Sequence, residues 1–184
     1  MRRREKPRAI STAMTAAELD ALRELATGRM VLEVGSYKGA STVVMAKVAE
    51  LVHAVDPHVP FTKDGERRTM LTQLATNLVE HDVFDKVIVH KGWSPQIVPL
   101  FPDASFDLVF VDADHRLEAV EADLGLVRRV VKPSGVLAFH DYGVPGTEKD
   151  GRWDTFGVTD VVDAFVAEME AALEVVDTLA VVRL

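Results

Sequence analysis

The 184-residue chain has no cysteine, which removes disulfide frameworks, thiolate nucleophiles and thiolate metal sites together. It has no apolar run near the roughly 18 residues that a membrane span requires. Nor does an apolar segment of signal-peptide type precede Ser11. A soluble cytoplasmic protein that touches no membrane is the expectation. Cations are also scarce: 21 Lys and Arg stand against 29 Asp and Glu, for a formal net charge of −8. Five of those cations and one acid fall in Arg2-Arg3-Arg4-Glu5-Lys6-Pro7-Arg8, and this basic tail leaves the remainder of the chain at −12. A body this acidic does not suit nucleic acid as a partner, because phosphate binding needs clustered Lys and Arg. Internal repeats, low-complexity tracts and interdomain linkers are absent as well. With 48% apolar residues, the length suits one well-buried domain. Residues 1–10 are therefore expected to form a disordered tail and residues 11–184 a single domain.

What is present is periodic. Thr15-Ala16-Ala17-Glu18 reads as a capping box, opening a helix through Leu19, Leu22, Leu25 and Ala26 that stops at Gly28. After it, short apolar strands near 30–34, 51–55, 86–90, 106–111 and 135–140 alternate with helical patterns near 40–50, 66–80, 95–100, 116–131 and 158–172. Such alternation builds βαβ units, hence an α/β, doubly wound, mostly parallel sheet with helices on both faces. Two β-branched runs, 173–176 and 179–182, flank Asp177-Thr178 at hairpin spacing and bring the strands to seven.

The chemistry starts after the first strand, at Val31-Leu32-Glu33-Val34-Gly35-Ser36-Tyr37-Lys38-Gly39. Glycines at a strand end let a backbone approach a ligand closely, and the following helix adds free N–H groups and a positive dipole end. Twenty-one residues after Gly35, Asp56 closes the second strand, where a doubly wound sheet places the carboxylate that takes a ribose diol. Dinucleotide turns need three glycines around a pyrophosphate. Here there are two, four residues apart, with Glu33 beside them, so a cationic cofactor without phosphate fits better.

The segments "EVGSYKGAST" at 33–42, "AVDPH" at 54–58, "KGWS" at 91–94, "FVDADH" at 110–115 and "PSGVLAFHDY" at 133–142 occur in order along most of the chain. Together they resemble the class I S-adenosyl-L-methionine (SAM)-dependent methyltransferases. The closer resemblance is to a group of small bacterial methyltransferase domains, similar to sugar or metabolite O-methyltransferases. A more distant one is to the catechol and caffeoyl-CoA O-methyltransferases. The resemblance implies a Rossmann-like seven-stranded sheet with a C-terminal antiparallel hairpin. It also implies that Glu33, Gly35, Ser36, Gly39 and Ser41 line the methionine end of the cofactor, Asp56 its ribose, and Trp93 and Ser94 its adenine, with Asp112 beside it. A side chain at Gly35 is accordingly expected to block the cofactor and spare the fold.

Asp112-Ala113-Asp114-His115 places three ionisable groups in four residues after a buried strand. Methyl transfer to oxygen needs the acceptor hydroxyl deprotonated or nearly so, by a metal ion or by a His near neutral pKa. His115 stands at the offset where the resembling families keep a lysine or histidine base, so His115 and Asp112 are the catalytic candidates. In the catechol-type enzymes the two positions after the fifth strand are Asp and Asn ligands of magnesium; here they are His140 and Asp141. Asp112, His140 and Asp141 are thus the metal candidates, for a divalent ion that tolerates imidazole better than Mg²⁺ does. His53 reads as a core residue, and His81 and His90 carry no constellation. Residues 143–157 read as a long glycine-rich loop whose Trp153 and Phe156 would close a lid on the acceptor.

The expected activity is methyl transfer from SAM to a hydroxyl of a small metabolite or sugar, with the small-molecule acceptor as partner and a homo-oligomer left open. An NAD-type oxidoreductase would use the same Gly35 and Asp56 but wants a Tyr-x-x-x-Lys pair or equivalent, which is not evident here. The other alternative is a SAM-binding module without catalysis.

Overall fold

Thr15 opens helix α1 (Ala16–Ala26): its hydroxyl accepts from the Glu18 N–H while the Glu18 carboxylate accepts the Thr15 N–H, the reciprocal pair the sequence announces. Gly28, at φ +68°, then turns the chain into the sheet. The computed structural model describes residues 8–63, 66–145, 147–149, 152–154 and 157–184, with the backbone alone for 61–63, 66–68, 147–149 and 152–154.

Seven strands make one sheet: β1 (Met30–Val34), β2 (Leu51–Asp56), β3 (Val87–Lys91), β4 (Phe106–Val111), β5 (Val131–Phe139), β6 (Ala172–Val176) and β7 (Leu179–Arg183). Their order is β6-β7-β5-β4-β1-β2-β3. The first five run parallel, and β7 lies antiparallel between β5 and β6. The central strands are largely apolar because both faces are covered. Alternate residues of β1 show this: Val31 packs with Leu22, Met45 and Leu74, while Leu32 packs with Val120, Phe139 and Phe165. The first cluster lies under α1, α2 (Ala40–Ala46) and α3 (Met70–Glu80), the second under α5 (Leu117–Val130) and α6 (Val158–Met169). A short α4 (Ser94–Ile97) follows β3. No helix among the described residues is long and apolar enough to cross a membrane.

Several boundaries differ from the sequence reading. Helix α2 ends at Ala46 rather than near 50, where the chain turns and Val48 offers its carbonyl to the Gly28 N–H at 2.9 Å. Strand β5 starts at Val131, directly after α5, and a register shift opposite Phe106 and Leu108 absorbs the Pro133-containing stretch. The helix expected from 66 starts at Met70, because the Thr69 hydroxyl caps it by accepting from the Leu71 N–H. Before it, Phe61–Lys63 pairs with Glu66–Arg68 as an antiparallel ribbon. A second ribbon, Thr147–Lys149 with Arg152–Asp154, occupies part of the expected long loop. The Trp153 side chain and Phe156, expected in a lid, lie outside the described residues, as do residues 1–7 of the expected tail. Residues 8–10 are placed: Ile10 packs on the α1–α3 cluster, and the Arg8 carbonyl lies 3.1 Å from His81 Nε2.

Candidate active site

The turns after β1 to β5 open into one cleft of about 890 Å³, outside the carboxyl ends of the strands. Ladder hydrogen bonds continue past the strand ends: Gly35 N–H to Val55 O at 2.8 Å, Asp112 N–H to Val34 O at 2.8 Å, and His140 N–H to Val111 O at 3.1 Å. The site residues therefore share the rigidity of the sheet. Gly35 has φ +95°, and a Cβ there would lie 2.0 Å from the Asp112 carbonyl oxygen. Its bareness lets the β1 turn pass the β4 turn, so a side chain would strike the fold itself, contrary to the expectation that it would meet the cofactor alone. Gly39, at φ +85°, heads α2; a Cβ there would meet Leu74.

Glu33 does not reach the cleft. It is fully buried beneath the turn, and its two oxygens accept the hydroxyls of Ser41 and Thr42, fastening α2 to β1. Burial pushes its pKa up to about 7 against the pull of those hydroxyls, with Asp112 and Asp56 adding to the rise. Ser36 and Ser41 line the cleft, as does Asp56. The Asp56 carboxylate accepts the backbone N–H groups of Tyr37 at 2.8 Å and His58 at 2.6 Å, so it ties the β1 and β2 turns together.

At the ends of β4 and β5, two acids and two imidazoles interlock. His115 Nε2 lies 3.0 Å from Asp141 Oδ2 and 3.4 Å from Asp112 Oδ1. His140 Nδ1 lies 3.5 Å from an oxygen of each acid, and its Nε2 faces Glu18 at 3.5 Å and the Thr178 hydroxyl at 3.4 Å. The two acids push His115 up to about 9 against burial. Burial works to lower His140, but the same acids outweigh it and carry it up to about 10. In return the imidazoles hold Asp141 well below the usual carboxylate range, and hold Asp112 down against its burial. Asp112, His115 and Asp141 each offer a ligand atom, all within 4.8 Å of one another, a set fit for a divalent ion. His115 joins the expected acids in that set, while His140 keeps its Nδ1 beside both of them and turns its Nε2 to Glu18 and Thr178.

Trp93 stands 55% exposed on the cleft wall, and the Ser94 hydroxyl is donated to Asp123. Asp123 is a site residue the sequence reading missed. Its signal was an acid three residues after Val120 and four before Val127, on the apolar face of an amphipathic helix. The reading also missed that His53 and His90 belong together: their rings stack at 5.1 Å, flanked edge-on by Phe101, away from the cleft.

A family model described as "Methyltransferase domain" matches residues 32–142, from β1 to just past β5. The uncharacterized protein R132 of Acanthamoeba polyphaga mimivirus is 23% identical over 145 residues, 76% of this chain. The aligned part spans 60% of the length of that curated relative. The O-methyltransferase TomG from Streptomyces achromogenes, solved in complex with SAM, superposes at a TM-score of 0.70 with 19% identity, covering 94% of this chain and 81% of its own. An O-methyltransferase from Bacillus cereus, in complex with SAH, also gives 0.70, with 17% identity over 96% and 84%. At such identities these structures show a common fold. The family match covers well over half of the chain, and with the glycine turn, Asp56 and the β4–β5 cluster in one cleft, the chain belongs to the methyltransferase domain family.

Proposed function

We propose that the protein is a SAM-dependent methyltransferase that moves the sulfonium methyl to a hydroxyl oxygen of a small metabolite or sugar, in the cytoplasm. The observation that carries this reading is the convergence of the Gly35 turn, Asp56, Trp93 and the Asp112–His115–Asp141 cluster on one cleft. A cationic sulfonium without phosphate suits a cleft lined by Asp56, Asp112 and Asp141. The Gly35 turn, Ser36 and Ser41 take the methionine end. A carboxylate offers about four lone-pair sites, so Asp56 can accept a ribose diol while keeping its two backbone donors.

The reaction is a displacement in line: the acceptor oxygen attacks the methyl carbon, the carbon–sulfur bond breaks, and S-adenosylhomocysteine leaves. With no ion bound, His115 in its neutral form takes the hydroxyl proton and releases it to solvent, Asp141 staying ionised beside it. In place of that base, Asp112, His115 and Asp141 would hold a divalent ion that would polarise the acceptor oxygen; a donor set with an imidazole favours Mn²⁺, Fe²⁺ or Zn²⁺ over Mg²⁺. Calorimetric titration with S-adenosylhomocysteine, with and without each metal, tests the reading. One-to-one binding supports it, and no binding under any condition overturns it. Labelled methyl transfer from SAM into cell extract then finds the acceptor.

A further inference from the structure

Asp123 has no part in the chemistry above. It sits in the buried stripe of α5 and is 4% exposed, a costly place for a carboxylate unless donors reach it. Its Oδ1 accepts the Ser94 hydroxyl. Among the described residues Oδ2 has no donor, yet it is not among the side-chain atoms sealed from solvent, and Asp123 lines the cleft. Burial raises its pKa against the pull of Ser94, as expected of an acid short of donors. The same cleft is lined by the apolar side chains of Trp93, Pro95, Ala119 and Ala122, the first two flanking Ser94 and the last two on the helix that carries Asp123. A planar heterocycle with an amine on its edge fits this arrangement.

We infer that Asp123 reads the adenine edge of the cofactor: Oδ2 accepts an N–H of the exocyclic amine, Ser94 holds Oδ1, and Trp93 takes a ring face. This rests on the reading of the protein as a SAM enzyme. A base bearing a carbonyl at that edge would set two acceptors against each other and be rejected.

The test compares S-adenosylhomocysteine with S-inosylhomocysteine, which carries a carbonyl oxygen for the amine and a proton on the adjacent ring nitrogen, by calorimetry on the full chain. The wild type should bind the inosyl compound about 10- to 100-fold more weakly, the range of one charged hydrogen bond. Asp123→Asn can keep its oxygen towards Ser94 and turn its amide N–H₂ to the ring. Its preference should shift by a similar factor towards the inosyl ligand, with an unchanged melting temperature. Ser94→Ala, which frees Oδ1 and loosens the carboxylate, should narrow the wild-type preference. Equal affinity of the wild type for the two ligands overturns the inference, whether or not Asp123→Asn folds. So does a preference unmoved by both variants. If the wild type binds neither compound, the SAM reading itself falls, and the two failures are thereby told apart.

Discussion

A Cβ on Gly35 would have to occupy the space of the Asp112 carbonyl. Gly35→Ala should therefore lose about 2–4 kcal/mol of stability, summing backbone strain and overpacking; denaturant titration measures it, and an unchanged midpoint would return the glycine to a purely ligand-facing role. Glu33 makes a different forecast. Its folded pKa of about 7 exceeds the reference of 4.5, so the fold binds its proton more tightly than the unfolded chain does. Stability falls as pH rises between those values and levels off above 7. Glu33→Gln removes that titration, so its stability relative to wild type should improve by about 2–3 kcal/mol from pH 5 to pH 8, at 1.36 kcal/mol per pKa unit. His115, with a pKa of about 9, is an imidazolium at neutral pH. Turnover that uses it as base should climb with pH towards 9, and His115→Ala should flatten the profile and lower kcat by about 10²–10⁴-fold. Asp56, Asp112, His115 and Asp141 were legible because an ionisable residue just after an apolar strand has few structural reasons to be there. Glu33 was misread because its purpose lies in two hydroxyls eight and nine residues on, a contact visible only once α2 is folded back over β1.

Among the elements, α1 depends most on a distant partner. Glu18, 1% exposed, caps its own helix and also accepts the Thr178 N–H at 2.8 Å and the Thr178 hydroxyl at 2.6 Å, from the turn between β6 and β7. Glu18→Ala should cost about 2–4 kcal/mol, since a cap is lost and two buried donors are left unpaired. Chemical denaturation checks it; a loss under 1 kcal/mol would mean that the clamp is incidental. The capping box was readable from four residues, whereas the clamp depended on a residue 160 positions away. The two ribbons teach the opposite lesson. The sequence between the strands of each is Asp-Gly, at 64–65 and at 150–151, the strongest short-range hairpin signal there is, and helical and loop patterns of longer period obscured it. Boundaries elsewhere moved by a few residues because caps and bulges, not hydrophobic period, end an element.

At the scale of the molecule, the alternation of strands and helices was enough to predict a doubly wound sheet, and the β-branched pair at the end was enough to predict its hairpin. The strand order was not legible, because periodicity alone does not say which strands are neighbours. Residues 11–14 complete the cleft wall, and α1 carries them there. That helix is moored through Thr15 to Asp177 and through Glu18 to Thr178, and β7, which separates β5 from β6, follows at once. The two ends of that mooring stand 162 and 160 positions apart in the sequence, yet together they hold the helix that carries residues 11–14. The outer wall of the cleft is thereby tied to a hairpin at the far edge of the sheet, so a disturbance of that hairpin reaches the ligand site through α1.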